Sequence, residues 1–180
     1  MLDYLQLTLE SKRVKLIPIS RKYAKDMCRE FTAEVTQYMW PSAPKTQTEI
    51  NQHILEQRLK MQNGEEIALI ITEKGSLEFL GYTCLHKVNS NTPELGIWLK
   101  KGAHGFNYGF EALNLLKTWA ETNIEYDYLK YPVVRANISS CKIAEKMGGI
   151  IKDEYFKTSE SGKLLDEVEY RFYSQGCIHE

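Results

Sequence analysis

"ELGIWLKKGAHGFNYGFEAL", residues 94–113, runs an extended segment into a glycine-bearing loop that opens straight into a helical pattern. In "ELGIWL" alternation puts Glu94, Gly96 and Trp98 on one face and Leu95, Ile97 and Leu99 on the other. From Tyr108 the apolar positions Ala112, Leu115, Leu116 and Trp119 recur at helical spacing. A strand that feeds a helix start through such a loop is a general way of holding phosphate. Unpaired N–H groups point outward there and the macrodipole favours an anion. Gly105 and Gly109 let the backbone approach closely, although these glycines and Gly102 equally serve a tight turn and close helix packing. No Lys-Ser or Lys-Thr pair follows as in a Walker A loop, and the spacing is not G-x-G-x-x-G, which sets aside nucleotide hydrolysis and a dinucleotide fold.

Outward from this stretch, "RVKLIPIS" (13–20) alternates as a first strand up to Pro18, with Ser20 placed to cap the helix "RKYAKDMCREF". A short helical piece, "EVTQYMW", stops at Pro41. "TQTEINQHILEQRLKMQNG" then carries Ile50, Ile54 and Met61 at helical spacing before Asn63-Gly64. "EIALIIT", "LEFLGYTCLHKV" and "ELGIWL" read as an antiparallel meander, the first two joined by the turn residues "EKGS". "YLKYPVVRA" is a buried strand, "SSCKIAEKMGG" a short helix with a serine cap and a glycine stop, and "GIIKDEYFKT" with "LLDEVEYRFY" a closing hairpin about "SESGK". The alternation of elements predicts an α/β or α+β sandwich with a mixed sheet, and 180 residues with no linker or repeat favour a single domain over 1–180.

Composition narrows the function classes. The 23 basic and 24 acidic residues leave a net charge of -1, which offers no general surface for nucleic acid or an anionic membrane. Cys28, Cys84, Cys141 and Cys177 form no C-x-x-C pair, and His53, His86, His104 and His179 show no i, i+4 ligand spacing, so no metal is expected. The N-terminus lacks an uninterrupted apolar signal region and no later run is long enough to span a bilayer. A cytoplasmic protein with reduced thiols is the expectation.

The two segments "ELGIWLKKGAHGFNYGFEAL" and "NISSCKIAEKMGG" (137–149), in this order, resemble the acetyl-CoA-binding core of the GNAT N-acetyltransferases, in the branch similar to ribosomal-protein N-terminal acetyltransferases. That family's loop reads Arg or Gln, two residues, Gly, one residue, Gly or Ala; here His104 replaces the first, Asn107 the middle Gly, and Gly109 fits. Asn is the next best residue after Gly at positive φ, so the loop can still curl. The resemblance implies a GNAT fold with a mixed central sheet, helices on both faces, and a cleft where the parallel strands "ELGIWL" and "YLKYPVVRA" splay apart. It implies acetyl-CoA as cosubstrate, with main-chain groups around Ile97, Trp98 and Leu99 pairing the pantetheine. The N–H groups of His104, Gly105, Phe106, Asn107, Tyr108 and Gly109 would hold the diphosphate, and Asn137 the pantetheine arm. Lys100, Lys101 and Lys142 are candidates for the outer phosphate, although a solvated surface Lys is the commoner case.

The resemblance also implies an amine acceptor, either a peptide N-terminus or a small molecule such as an antibiotic or polyamine, and it leaves a homodimer open. A non-catalytic acyl-CoA-binding module is the alternative from another class. An α-amine with pKa near 8 is about one-tenth neutral at pH 7, a lysine amine near 10.4 less than about a thousandth, so an N-terminal acceptor needs less help from a base. By the resemblance Glu94 is the general-base candidate, direct or through water. A carboxylate at a strand start serves a surface pair just as readily. Ser140 matches a serine near the cofactor sulfur, with helix capping as its other role. The tyrosine acid common in the superfamily would fall at Ala144 and is absent, so backbone N–H groups are left to stabilise the oxyanion. Tyr38 and Trp40 fall where the family's first helices form the acceptor pocket, and core packing is the alternative for both. Glu111, in the first helical turn, reads as complementing the macrodipole. Cys141, without a basic partner, reads as a small buried residue.

Overall fold

A computed structural model describes residues 2–174, so Cys177 and His179 lie outside the described residues. One sheet of eight strands runs in the order β1-β2-β3-β4-β5-β6-β8-β7. The strands are β1 (Leu9–Glu10), β2 (Val14–Pro18), β3 (Ile67–Glu73), β4 (Phe79–His86), β5 (Glu94–Leu99), β6 (Tyr128–Val134), β7 (Ile150–Thr158) and β8 (Leu164–Tyr173). The α-helices are α1 (Ala24–Glu30), α2 (Gln47–Gln62), α3 (Tyr108–Asn123) and α4 (Ile138–Lys146).

Neighbouring strands pair antiparallel except β5 and β6, which are parallel because α3 crosses over between them. The helices lie on both faces, as the resemblance implies. On one face Trp98 of β5 meets Phe31 just after α1 at 4.5 Å between ring centroids, and Tyr82 of β4 meets His53 of α2 at 6.1 Å. On the other face Leu99 and Ile97 of β5 pack against Gly109 of α3. Ile50, Ile54 and Met61 form the buried stripe of α2, and β3 is buried from Ile67 through Thr72. Each large apolar side chain so buried stabilises the fold by about 1.5–3 kcal/mol.

A bulge marks the β3–β4 ladder, where Ile71 faces Gly81 but Thr72 faces Phe79. Leu80, skipped by β3, accepts the N–H of Lys100 through its carbonyl at 2.9 Å. Bulges add local twist. This one lies beside the C-terminal end of β5, the end that has left β6. Gly81 is required there because a Cβ would sit 2.2 Å from the Trp98 carbonyl oxygen.

Two local expectations are corrected. Ser20 makes no side-chain cap bond, and its helix begins as a 3-10 turn, Arg21–Tyr23, before α1. The cap of α4 is Asn137 rather than a serine, its Oδ1 accepting the Ser140 N–H at 3.3 Å. Asn and Ser are both good caps, and the chain leaves β6 one turn earlier than the serines would require. The two-residue β1 has too little pattern to be read from sequence.

Candidate active site

β5 and β6 share one register pair, Glu94 with Lys130, where the Lys130 N–H donates to the Pro93 carbonyl at 2.8 Å. Beyond it they part, while β6 keeps pairing with β8 from Tyr128 to Val134. Main-chain groups alternate in direction along a strand. Lys100 donates toward β4, so Trp98 and Gly96 also turn toward β4, and Ile97 and Leu99 present N–H and C=O to the gap. Of the three residues expected to pair a cofactor through the main chain, Ile97 and Leu99 face the gap; Trp98 is buried and its main chain belongs to the β4 ladder.

The gap is a cleft of about 370 Å³, floored by Ile97, Leu99 and Ile143, with Val35 and Met39 at one side and Asn137 and Ser140 at another. Its far wall is the loop before α3. Gly105 (φ 83°) and Asn107 (φ 66°, ψ 11°) are left-handed, so Asn107 adopts the conformation expected of it. The first intrahelical bond is Glu111 N–H to Asn107 C=O at 3.2 Å, which leaves the N–H groups of Tyr108, Gly109 and Phe110 pointing out of the helix start. Gly109 also serves packing, since a Cβ would meet Ile143 Cδ1 at 2.9 Å and Leu99 Cδ1 at 3.4 Å. The His104 ring lies on the gap-facing Leu99 carbonyl, Nε2 to oxygen 3.0 Å. The Phe106 side chain is exposed and does not line the cleft.

Of the lysines expected near an outer phosphate, Lys100 pairs with Glu78 at 2.5 Å and Lys101 with Glu34 at 2.6 Å, while Lys142 lines the cleft. A further one, Lys146, was not read from the sequence. Its Nζ lies 3.3 Å from Asn107 Oδ1 and 4.0 Å above the Phe110 ring, at the start of α3. The macrodipole of α3 disfavours a cation there, that of α4, whose last turn carries Lys146, favours it, and among the described residues no carboxylate pairs with it. The signal in sequence was its spacing four residues after Lys142, which sets both on one helical face.

On the opposite face Glu94 stands across from His86 on β4 and Lys130 on β6. Tyr38 and Trp40 do not line the cleft; Trp40 is 48% exposed. Their segment is tied to the β7–β8 turn by Glu160 N–H to the Trp40 carbonyl and Lys163 Nζ to the Gln37 carbonyl, both 2.9 Å, and Val35 and Met39 face the cleft instead. Glu111 accepts from Ser11 Oγ and from Arg13 N, Nε and Nη2 at 2.6–2.9 Å, pinning the β1–β2 turn to the start of α3. Burial alone would raise its pKa, but Ser11 and Arg13 outweigh it and hold the carboxyl below its usual range. Cys141 has only a long contact, 3.9 Å, from its sulfur to the Arg135 carbonyl.

The sequence model described as "Acetyltransferase (GNAT) domain" matches residues 13–150. The chain belongs to the GNAT acetyltransferase family. It is therefore an acyltransferase, and acetyl-CoA is the cosubstrate its family uses. No curated protein matches the sequence. Among solved structures, this GNAT chain is similar to RimL, a ribosomal L7/L12 alpha-N-protein acetyltransferase, in complex with coenzyme A: 18% identity, TM-score 0.81, 93% of this chain and 98% of that one. A putative ribosomal-protein-serine acetyltransferase from Vibrio cholerae aligns at 18% identity and TM-score 0.78 over 94% and 98%. An acetyltransferase (GNAT family) from Bacillus anthracis aligns at 14% and 0.80 over 94% and 99%. At these identities the likeness is one of fold. No described helix is long and apolar enough to cross a membrane.

Proposed function

We propose that this protein transfers the acetyl group of acetyl-CoA to a primary amine, the α-amine of a protein N-terminus, by direct attack in a ternary complex. The observation that carries the proposal is the unzipped β5–β6 edge ending at a helix start with outward N–H groups and Lys146, which has no carboxylate partner among the described residues. Acetyl-CoA supplies the thioester carbonyl. Ile97 and Leu99 hold its pantetheine arm by their main chain, and the N–H groups from Gly105 to Phe110, with Lys142 and Lys146, hold the diphosphate. Leu99 must release His104 to do so. Asn137, whose Oδ1 caps α4, keeps its amide nitrogen for the pantetheine. The Ile97 N–H faces the gap and is the donor we assign to the oxyanion. Glu94 receives the incoming ammonium and draws on its proton, directly or through water.

The α-amine is favoured over a lysine because of its larger neutral fraction at pH 7. The fold shared with two ribosomal-protein acetyltransferases supports a protein N-terminus as the acceptor. The test is thiol release from acetyl-CoA against peptides of increasing length and a panel of antibiotics and polyamines. Activity rising with peptide length is expected. Activity on small amines alone would remove the protein acceptor, and tight acetyl-CoA binding with no release on any amine would leave only a binding module.

A further inference from the structure

The two edges of the sheet are unlike. β1 has two residues, whereas β7 has nine, pairs with β8 alone among the described residues, and is exposed at every position but Tyr155. Its side chains include large apolar ones: Ile151 is 41% exposed and Phe156 68%, and Leu164 of β8, on the same face as both, is 62% exposed. A long exposed edge is a template for another strand. The bulge in β7 falls between Ile151 and Asp153 and leaves Asp153 to Thr158 in unbroken register with β8.

The main chain of that stretch is open on its outer side. The Ser159 N–H donates inward to the Lys163 carbonyl at 2.8 Å, and main-chain directions alternate along a strand. Tyr155 and Lys157 therefore also turn to β8, while Glu154, Phe156 and Thr158 turn outward, where no described strand meets them. The outward Glu154 N–H donates to the carboxylate of its own neighbour, Asp153 Oδ1, at 2.9 Å. Such a local bond is one that an incoming strand can replace.

We propose that β7 pairs antiparallel with β7 of a second copy of this chain, about a two-fold axis at Tyr155, and joins the two sheets into one. In a two-fold pairing of this kind each contact is made twice, and opposed residues stay on one face. With the axis at Tyr155, Asp153 stands opposite Lys157 of the second copy, an ion pair repeated by symmetry on either side of the opposed tyrosines. On the other face Glu154 stands opposite Phe156 of the second copy. Both carry outward main-chain groups, so this pair exchanges N–H and C=O bonds, and Asp153 passes from the Glu154 N–H to the facing Lys157. The two Phe156 side chains lie on the diagonal across the axis, about 7–8 Å apart at Cα, a distance aromatic rings span.

The order of charges selects this register. An axis at Glu154 sets that carboxylate against its own copy, and an axis at Phe156 leaves Asp153 and Lys157 opposite Ser159 and Tyr155, without a charge to meet. Glu154 itself is compensated by Arg135 Nη2 at 2.9 Å. The contact is confined to one strand from each copy. It belongs at the small end of specific interfaces, with a dissociation constant on the order of micromolar. β8 stands between β7 and the strands of the cleft, β5 and β6, so the pairing leaves each cleft open and is independent of the acetyl-transfer reading.

The experiment is sedimentation velocity on the full chain over a range of micromolar concentrations, with a thermal melt of each variant at the lowest one. Wild type should pass from monomer to dimer as concentration rises. Asp153→Lys and Lys157→Asp each set like charges opposite, twice, and should raise the dimer dissociation constant about tenfold or more. Combining the two swaps restores opposite charges and should return it to within about threefold of wild type. Phe156→Asp, which faces Glu154 of the second copy, should weaken the dimer as the single swaps do. All these side chains are exposed, so Tm should move by less than about 2 °C. A wild type that stays monomeric throughout, a dimer indifferent to the single swaps, or a doubly swapped chain that melts like wild type yet does not regain the dimer would each overturn the proposal.

Discussion

Lys146→Met removes the ammonium at the start of α3 and keeps most of the side chain's bulk. Two consequences follow. Toward a bound diphosphate, an ammonium about 4 Å away contributes about 1 kcal/mol per charge in water and about 4 kcal/mol at an effective dielectric of 20. Lys146 is exposed, so the lower figure governs, and two phosphate charges give about 1–2 kcal/mol, a weakening of acetyl-CoA binding by about 5- to 30-fold. Toward the empty protein, removing the cation gains about 0.3–1 kcal/mol at the positive end of α3 and costs about as much at the last turn of α4, while losing the contact with the Phe110 ring, 4.0 Å away, costs about 0.5–1 kcal/mol. The net loss is about 0.5–1 kcal/mol, so Tm without cofactor should fall by no more than about 4 °C. Calorimetric titration with acetyl-CoA and a thermal melt of the same variant read both. Added salt should shrink the difference in affinity, because it screens an exposed pair. Unchanged affinity, or a loss of affinity accompanied by a Tm drop of more than about 4 °C, would refute the assignment of Lys146 to the anion.

Glu94→Gln should lower kcat while leaving acetyl-CoA affinity intact, and unchanged turnover across pH would remove Glu94 from the proton path. Gly109→Ala puts a methyl against Ile143 and Leu99, and should weaken acetyl-CoA binding about tenfold by closing the cleft floor, read by calorimetry. Glu111→Gln strands the Arg13 donors and should destabilise the fold by about 2–3 kcal/mol at neutral pH, read by denaturant titration. The Glu111 carboxyl is held below its unfolded value, so this advantage over the variant is full above about pH 4.3 and fades as pH falls through the folded value. A difference that does not shrink as the pH is lowered would contradict it.

The sheet and helices were legible because their patterns are local. Ile50, Ile54 and Met61 mark α2, and alternation in "ELGIWL" correctly separated the Trp98 face from the Leu99 face. The loop was legible from chemistry: Asn107 tolerates the left-handed backbone that it adopts. What stayed hidden depends on contacts between distant residues. Nothing in "EKGSLEFLGY" announces that a bulge at Leu80 will twist β4 beside β5. His86 looked like one of four scattered histidines until the β3–β4 register set Glu66 beside it. Tyr38 and Trp40 were assigned to the acceptor side by the resemblance alone; what the sequence did not announce is that main-chain ties to Glu160 and Lys163 hold their segment against the β7–β8 turn.

A crystal structure with acetyl-CoA tests the centre of this account most directly. It should show pantetheine bonded to the main chain of Ile97 and Leu99, the diphosphate on the N–H groups from Gly105 to Phe110 beside Lys146, and His104 displaced from the Leu99 carbonyl. Ligand bound elsewhere, or β5 and β6 zipped together past Glu94 and Lys130 with the cofactor excluded, would contradict it.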